Sequence, residues 1–353
     1  MKFLVFLGAM TALCAVGCTT TGHPLPPSGS CLEQAEARLL QRVEAGKASI
    51  EKGGRVYRDH ELEAYLLGII AKLQRNTCSA SFFRIKLIRD PYLEAFAYPD
   101  GTIYIHTGIL ARLDNEAQLA ALLAHEMSHC LHGHPLKATP GRIRALEMEA
   151  DLAGFELMSK AGYDTVGALR LFEHLADELK TEGYAEALLG GTHPRLRKRI
   201  ESCKRFRRLS PPSHGLRLMK EALYLDKTQR LILDTADLDL KAGRYERARK
   251  GVEKYLKIEP TDAKAFFLMG EIFRQRGEPG DHERAKASYR RAIALNPIDA
   301  GLHKSMGMLY FKEGAWQLAR KSFEWCLTLG PNASDRAYVQ GYLRDCRKLE
   351  IDS

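Results

Sequence analysis

Apolar residues recur every three or four positions along most of the chain, which is the spacing that one buried face of a helix requires. The spacing predicts helices over residues 31–51, 59–76, 116–131, 142–161 and 164–181, and a further basic helix from about residue 193. Asp114 and Asn115 stand directly before the third of these helices, where a short polar side chain can cap the first turn.

Two shorter stretches alternate apolar and polar residues and therefore predict strands. The first runs from Phe82 to Ile88. The second, Ala95–Ile105, is divided by Pro99-Asp100-Gly101, a turn sequence that favours a hairpin. Together with the helices around them, these strands predict one α+β domain over residues 31–209, mostly helical with a small β-sheet.

Proline recurs at a nearly fixed interval in the C-terminal part, at Pro260, Pro297 and Pro331. Ahead of each proline, small and aromatic residues stand in the same order, which lets the two helices of a hairpin approach closely. This period is typical of tetratricopeptide repeats, so an all-α repeat array is predicted. The expected divisions are a Ser- and Pro-rich linker at 210–226, three repeats at 227–331 and a capping helix at 332–353.

The N-terminal residues predict a secretory address. Lys2 precedes the apolar run Phe3–Leu13, which is short for a membrane span, and small residues follow it. The run ends at Val16-Gly17-Cys18, which resembles the lipobox of bacterial lipoproteins, with Cys18 as the lipidation site; a plain cleaved signal is the alternative. We therefore expect a signal peptide at 1–17, a tether at 18–30 and a lipid anchor on the periplasmic side of the bacterial outer membrane.

Composition narrows the protein class further. Apolar residues make up 45% and charged residues 27%, which excludes a disordered chain, and the single long apolar run excludes a multi-span membrane protein. The net charge of +9 does not argue for a nucleic-acid partner. The basic run 195–208 is interpreted as a solvated helix face, with contact to anionic lipid headgroups as the alternative.

The chain has eight cysteines, and the expected oxidising compartment permits disulfides. Cys326 and Cys346 fall on neighbouring predicted helices and form the best candidate pair. Pairing of Cys31, Cys78 and Cys203 stays open. Cys130 is expected to be a free thiol in the core.

His125-Glu126-Met127-Ser128-His129 is an H-E-x-x-H motif on the strongest predicted helix. Two histidines four residues apart project from one helix face and can hold a single metal ion. Glu126 stands beside that face and can accept a proton from the attacking water. His132 and His134 follow the motif, but they are expected at the surface or behind the ligands.

A catalytic zinc ion needs a third protein ligand. Glu147 and Asp151 lie four residues apart on the next predicted helix, hence on one face. Glu147 is the expected third ligand, and Asp151 is expected to accept a hydrogen bond from the ring N–H of a ligand histidine. Glu149 is the rival ligand, but it has no carboxylate four residues after it.

The segments 95–110, 123–129, 147–151 and Thr192-His193-Pro194 together resemble the zinc metallopeptidase family that includes HtpX and the prenyl-protein endopeptidases. With the repeats and the periplasmic address, the chain is most similar to the BepA-like periplasmic proteases of that family. Glu94 departs from the asparagine that the family usually has there. The resemblance implies a gluzincin-type domain, one zinc ion per chain on His125, His129 and Glu147, and Glu126 as general base.

The resemblance also implies how substrate is held. An edge strand formed by Ala95, Phe96, Ala97 and Tyr98 would pair with an extended substrate backbone. His193 is expected near the zinc, either as a latch on the water position or as a hydrogen-bond donor to the transition state; a plain histidine at the start of the helix is the alternative.

These observations predict a zinc metalloendopeptidase that degrades unfolded or misassembled proteins of the bacterial envelope. The expected partners are such proteins as substrates, an outer-membrane assembly machine on the repeats, and the membrane through the lipid anchor. The alternative is a chaperone-like adaptor that acts through its repeats, with a latched and rarely used peptidase site.

Overall fold

A computed structural model describes residues 44–75, 83–137, 139, 141–181, 196–209 and 218–351. The described chain divides into two compact units between Thr228 and Gln229. Among these residues, no helix combines the length and the apolar run that crossing a bilayer requires. Several predictions lie outside the described residues: the signal peptide 1–17, Cys18, the tether 18–30, Cys31, Cys78 and the segment around His193.

The first unit combines a small sheet with helices, as the sequence predicts. Residues 44–52 form helix α1. The elements that follow are β1 (Val56–Tyr57), α2 (His60–Gln74), β2 (Arg84–Ile88), β3 (Ala95–Ala97), β4 (Thr102–His106), α3 (Thr107–Arg112), α4 (Glu116–Leu131), α5 (His134–Lys137), α6 (Ile143–Lys160), α7 (Val166–Thr181) and α8 (Leu196–Leu209). The two-residue strand β1 and the short helix α3 carry too little periodicity to be predicted.

The sheet has the strand order β1-β2-β4-β3, so β3 lies at an edge. Strand β4 runs parallel to β2 and antiparallel to β3, with Phe96 opposite Tyr104. The rings of Phe96 and Tyr104 stack with centroids 5.3 Å apart, and Tyr98 meets both edge-on. This aromatic cluster packs on Ile50 and Ile88 and covers one face of the sheet edge.

Helix α4 is the buried centre of the first unit. Asn115 caps it, because its side chain accepts a hydrogen bond from the backbone N–H of Gln118. A Cβ on Gly154 of α6 would lie 3.2 Å from the backbone nitrogen of His125, and one on Gly167 of α7 would clash with the backbone of Ala117. Both neighbouring helices therefore approach α4 closely because they carry glycine at the crossing points.

The second unit is a series of helical hairpins, which confirms the predicted all-α repeats. Helix α9 (Glu221–Lys241) contains the division between the units, and it begins inside the segment predicted as linker. It is followed by α10 (Tyr245–Ile258), α11 (Ala263–Arg276), α12 (Asp281–Leu295), α13 (Ala300–Lys312), α14 (Trp316–Leu329) and α15 (Arg336–Ile351). Pro260, Pro297 and Pro331 stand just after the ends of α10, α12 and α14, where proline prevents the helix from continuing.

The small residues of the repeats make room for aromatic rings. A Cβ on Gly270 would lie 2.4 Å from the ring of Tyr289, and one on Gly307 would lie 2.7 Å from the ring of Phe323. Each ring thus fills the space that a glycine leaves on the partner helix of the same hairpin. Both rings are fully buried, so these contacts form the core of the array.

The predicted disulfide between Cys326 and Cys346 is wrong, because both thiols are free. They lie in one apolar cluster with Phe323, Val339 and Leu343 at the end of the array. Burial raises the pKa of both thiols, that of Cys346 to about 11, so neither is a reactive thiolate. They act as small apolar side chains that pack α14 against α15.

Glu116, the first residue of α4, is a fully buried carboxylate in the first unit. It accepts hydrogen bonds from the hydroxyls of Tyr65 at 2.9 Å and Tyr163 at 2.6 Å. The ammonium groups of Lys72 and Lys220 each lie 3.2 Å from its Oε1. Burial raises the pKa of Glu116, but these four donors outweigh burial and hold the pKa below its ordinary value of 4.5.

A carboxylate whose pKa is lowered by folding stabilises the folded state above its unfolded pKa and loses that effect as the pH falls. Glu116→Gln should therefore lower the free energy of unfolding of the first unit by about 3 kcal/mol at pH 7, and by less at pH 4. Hydrogen exchange of α4 peptides at the two pH values measures this difference.

The exposed Glu61→Gln change is the matched control and should leave α4 exchange unchanged. Trp316 and Trp325 both lie in the second unit, so their fluorescence reports separately that the repeats are intact. Equal protection of α4 in the wild type and the Glu116→Gln variant at pH 7 would contradict the prediction.

Candidate metal centre

The H-E-x-x-H residues lie at the C-terminal half of α4, where the helix is packed against α6. His125 and His129 are one turn apart and their rings meet edge-on, with centroids 4.7 Å apart. Glu126, between them in sequence, is buried. The close approach of α6 at Gly154 carries Glu147 and Asp151, which share one face of α6, to the two histidines.

Three ligand atoms converge at this point, from His125, His129 and Glu147, all within 4.8 Å of one another. The two Nε2 atoms are 3.1 Å apart, and each lies 3.5 Å from a carboxylate oxygen of Glu147. Ligand atoms placed about 2.0–2.1 Å from a tetrahedral zinc ion are roughly 3.3 Å apart. Both the spacing and the donor set, two imidazoles and a carboxylate, therefore fit zinc.

The orientation of the His125 ring is set by a contact at its Nδ1 atom. Its Nδ1 lies 3.0 Å from Oδ1 of Asp151, so the ring N–H donates to that carboxylate and leaves Nε2 facing Glu147. Asp151 in turn accepts two hydrogen bonds from Arg199, from Nη2 at 2.6 Å and from Nε at 2.8 Å. Burial raises the pKa of Asp151, but Arg199 and His125 outweigh it and lower that pKa.

Arg199 was not predicted as part of the site, and the interpretation of 195–208 as a solvated face is wrong at this position. The guanidinium is buried, and it lies over the ring of Phe172 at 4.4 Å. Burial lowers the pKa of Arg199, but Asp151 and Glu147 raise it above its ordinary value, so the group stays charged. The sequence could have indicated the buried position of Arg199, because it shares a helix face with Cys203 and Phe206. A charged residue on such a face needs a buried partner.

The charges of the site favour a divalent cation. The carboxylates of Glu126, Glu147 and Asp151 share a buried space with the guanidinium of Arg199, so the site carries two negative charges when both histidines are neutral, as metal ligands are. Burial and Arg199 lower the pKa of His125, yet its contacts with Asp151 and Glu147 outweigh them and raise it to about 10. Burial and the neighbouring His125 lower the pKa of His129 to about 3.

The protein family of this domain is known from its similarity to known sequences. Residues 57–143 and 141–207 match the profile of Peptidase family M48, a span that includes the edge strand, the H-E-x-x-H helix, Glu147, Asp151 and Arg199. The matched region, residues 57–207, is a peptidase family M48 domain. Its predicted resemblance to this class of metallopeptidase is thus confirmed.

The chain is similar in sequence to several named proteases. It is 22% identical over 311 residues to the beta-barrel assembly-enhancing protease of Escherichia coli K12, covering 67% of this chain and 62% of the relative. It is 29% identical over 157 residues to the mitochondrial metalloendopeptidase OMA1 of Schizosaccharomyces pombe, covering 35% of this chain and 46% of the relative. The chain thus spans between 46% and 62% of the length of these two relatives.

Among solved structures, the first tetratricopeptide domain of RPAP3 (Spaghetti), bound to an HSP90 peptide, is similar to this chain with a TM-score of 0.32 and 18% identity. It covers 36% of this chain and 95% of that one. At that TM-score the similarity carries no weight for the fold, which rests on the helical hairpins described above.

The edge of the M48 sheet lies next to the metal centre, because β3 packs against α4. Tyr98 N–H donates to Thr102 and His106 N–H donates to Glu94, while Phe96 pairs with Tyr104. In an antiparallel pair, alternate residues point their backbone groups outward, so Ala95 and Ala97 direct N–H and C=O to the open edge. No described strand pairs with that edge.

Glu94, the residue that departs from the family pattern, lies directly before β3. Its carboxylate is 3.8 Å from Nε2 of His106, and Asp90 lies 3.5 Å from Nδ1 of the same ring. Cys130 is a free thiol, as predicted, and its Sγ lies 3.3 Å from the carbonyl oxygen of Tyr98. Burial raises the pKa of Cys130 to about 12, so it is unreactive.

Replacing Arg199 with methionine would leave Asp151 buried without its cation. We expect Arg199→Met to cost about 3–5 kcal/mol in the free energy of unfolding of the M48 domain, and Arg199→Met combined with Asp151→Asn to cost less. Hydrogen exchange of α6 and α8 peptides measures the change.

Arg197→Met is the matched control on the same helix, since Arg197 is 82% exposed and pairs with Glu201 at the surface. It should change the free energy of unfolding by less than about 0.5 kcal/mol. Equal effects of the two methionine variants would show that the Arg199 contact carries no stability.

Proposed function

We propose that the protein is a zinc-dependent endopeptidase that cleaves unfolded or misassembled proteins of the bacterial envelope. The observation that carries the proposal is the convergence of His125, His129 and Glu147 in a domain of peptidase family M48, with Glu126 buried beside them. The presence of Glu126 favours catalysis over a purely structural metal site, because a structural site needs no base.

His125, His129 and Glu147 would hold the zinc ion, which supplies Lewis acidity that lowers the pKa of water and polarises a peptide carbonyl. Glu126 accepts the proton of the attacking water and then donates it to the leaving amine. Asp151 holds the ring of His125 so that Nε2 stays a ligand. His193 is proposed to act near the zinc, as a latch or as a hydrogen-bond donor.

The open edge of β3 supports the proposal that substrate binds as an extended strand. Ala95 and Ala97 offer outward backbone donors and acceptors beside the metal centre, and the strand is proposed to comprise Ala95, Phe96, Ala97 and Tyr98. Pairing of this kind reads backbone more than side chains, so it suits unfolded chains of varied sequence.

The envelope location rests on the predicted lipidation of Cys18 and on the named relatives. One of these relatives is named for beta-barrel assembly, and we propose that the repeats of this chain dock an outer-membrane assembly machine. Cys18 would hold the protein on the periplasmic side of the outer membrane.

Purified residues 19–353, loaded with zinc, should hydrolyse unfolded casein. Glu126→Gln should lower kcat/KM by about 10²–10⁴-fold because it removes the base but keeps the shape. A zinc chelator should abolish cleavage, and the surface change Glu156→Gln is the matched control.

Wild-type activity in the Glu126→Gln variant would contradict the proposed role of Glu126. If the wild type does not cleave casein, the His193→Ala variant is measured in the same assay. A gain of activity would identify His193 as a latch, whereas continued silence would favour the adaptor hypothesis.

Ala97→Pro removes one outward N–H from the edge strand without touching the bonds between β3 and β4. We expect kcat/KM for casein to fall about fivefold to tenfold, the value of one lost hydrogen bond. Ala97→Ser keeps the N–H and should cleave at the wild-type rate.

Hydrogen exchange of β4 should be the same in both variants, which shows that the sheet is intact. Unchanged cleavage by Ala97→Pro would argue against substrate pairing on β3.

A further inference from the structure

His134 lies directly behind the second metal-ligand candidate. Its Nδ1 is 3.1 Å from Nδ1 of His129, and the two rings are nearly perpendicular at 82°. The side chain of His134 is only 2% exposed, although it sits in a short helix after the end of α4. A histidine buried this deeply against another histidine calls for a partner on each ring nitrogen.

Sequence spacing alone would not bring these rings together, because residues five apart on a continuous helix lie on different faces. Helix α4 ends at Leu131, and Gly133 adopts a left-handed conformation with φ of 61°. The amide of Gly133 donates to the carbonyl of Cys130, which closes the turn. This turn returns the chain toward α4 and puts His134 against His129.

The tautomers follow from the geometry of the site. Nε2 of His129 faces His125 and Glu147, so a His129 that serves as a ligand carries its proton on Nδ1. Nδ1 of His134, 3.1 Å away, is in place to accept that proton, and His134 then keeps its own proton on Nε2. Nε2 of His134 points toward Oε2 of Glu149, which lies 3.5 Å away, slightly beyond hydrogen-bond length.

We infer that His134 is a positioning residue for the metal site: it accepts the Nδ1–H of His129 and so fixes the ring with Nε2 toward the metal. Each candidate histidine then has its own support, Asp151 behind His125 and His134 behind His129. Such supports orient a ligand and raise its basicity. The inference rests on the proposed zinc site, but it concerns metal affinity and not turnover.

The test measures zinc affinity in the Glu126→Gln background by competition with a chromophoric chelator, so that no substrate or cleavage enters the readout. His134→Leu keeps the volume but removes the acceptor, and it should weaken zinc binding by about 10–100-fold. His134→Asn puts an amide oxygen near the position of Nδ1 and should restore binding to within a few-fold of the parent.

His132 provides the matched control. It stands two residues earlier, and its Nδ1 lies 2.9 Å from the backbone carbonyl of Ser128 rather than near a ligand. His132→Leu should leave zinc affinity unchanged. In nitrogen-correlated NMR spectra of the zinc-loaded protein, the downfield Nδ1 proton of His129 should persist in His134→Asn and be lost in His134→Leu.

The outcomes separate the two proposals. A parent that binds no zinc would overturn the proposed metal site itself. A parent that binds zinc, with His134→Leu binding equally well, would overturn the role of His134 alone. Equal weakening by His134→Leu and His134→Asn, with α4 exchange unchanged, would also overturn it, because the accepted hydrogen bond would then not be what matters.

Discussion

The metal centre depends on how closely α6 can approach α4. Gly154 has no side chain at the crossing, and the backbone of α6 therefore comes near the nitrogen of His125. This short separation lets Asp151, which has a short side chain, reach Nδ1 of His125, and lets Glu147 reach both Nε2 atoms. A larger residue at 154 would move both carboxylates away together, because they share one face of the same helix.

Burying so much charge costs free energy unless each charged group has a partner. In this site each group is compensated or oriented by its neighbour. Arg199 compensates Asp151, Asp151 orients His125, and the remaining negative charge matches a divalent cation. The same arrangement explains why a basic helix, mostly solvated, turns one arginine inward onto Phe172. Stability and metal binding are thus coupled through the same residues.

The second unit is built differently, by packing successive helical hairpins against each other. Its glycines lie where an aromatic ring of the partner helix needs space, and its prolines stand where each hairpin has to end. The two free cysteines at the end of the array fit this scheme, since an apolar cluster there needs small side chains rather than a covalent bond.

Much of this protein follows from the sequence, because its main signals are local. The four-residue spacing of His125 and His129, and of Glu147 and Asp151, requires only helix geometry to put each pair on one face. The prolines and the strand alternation are equally local, so the hairpin and the repeat ends were predicted. Arg199 and His134 were decided only by the tertiary structure. Arg199 contacts a carboxylate 48 residues away in sequence, and His134 reaches His129 only because the chain reverses at Gly133. Periodicity carries no information about such contacts, since they arise from the packing of separate elements.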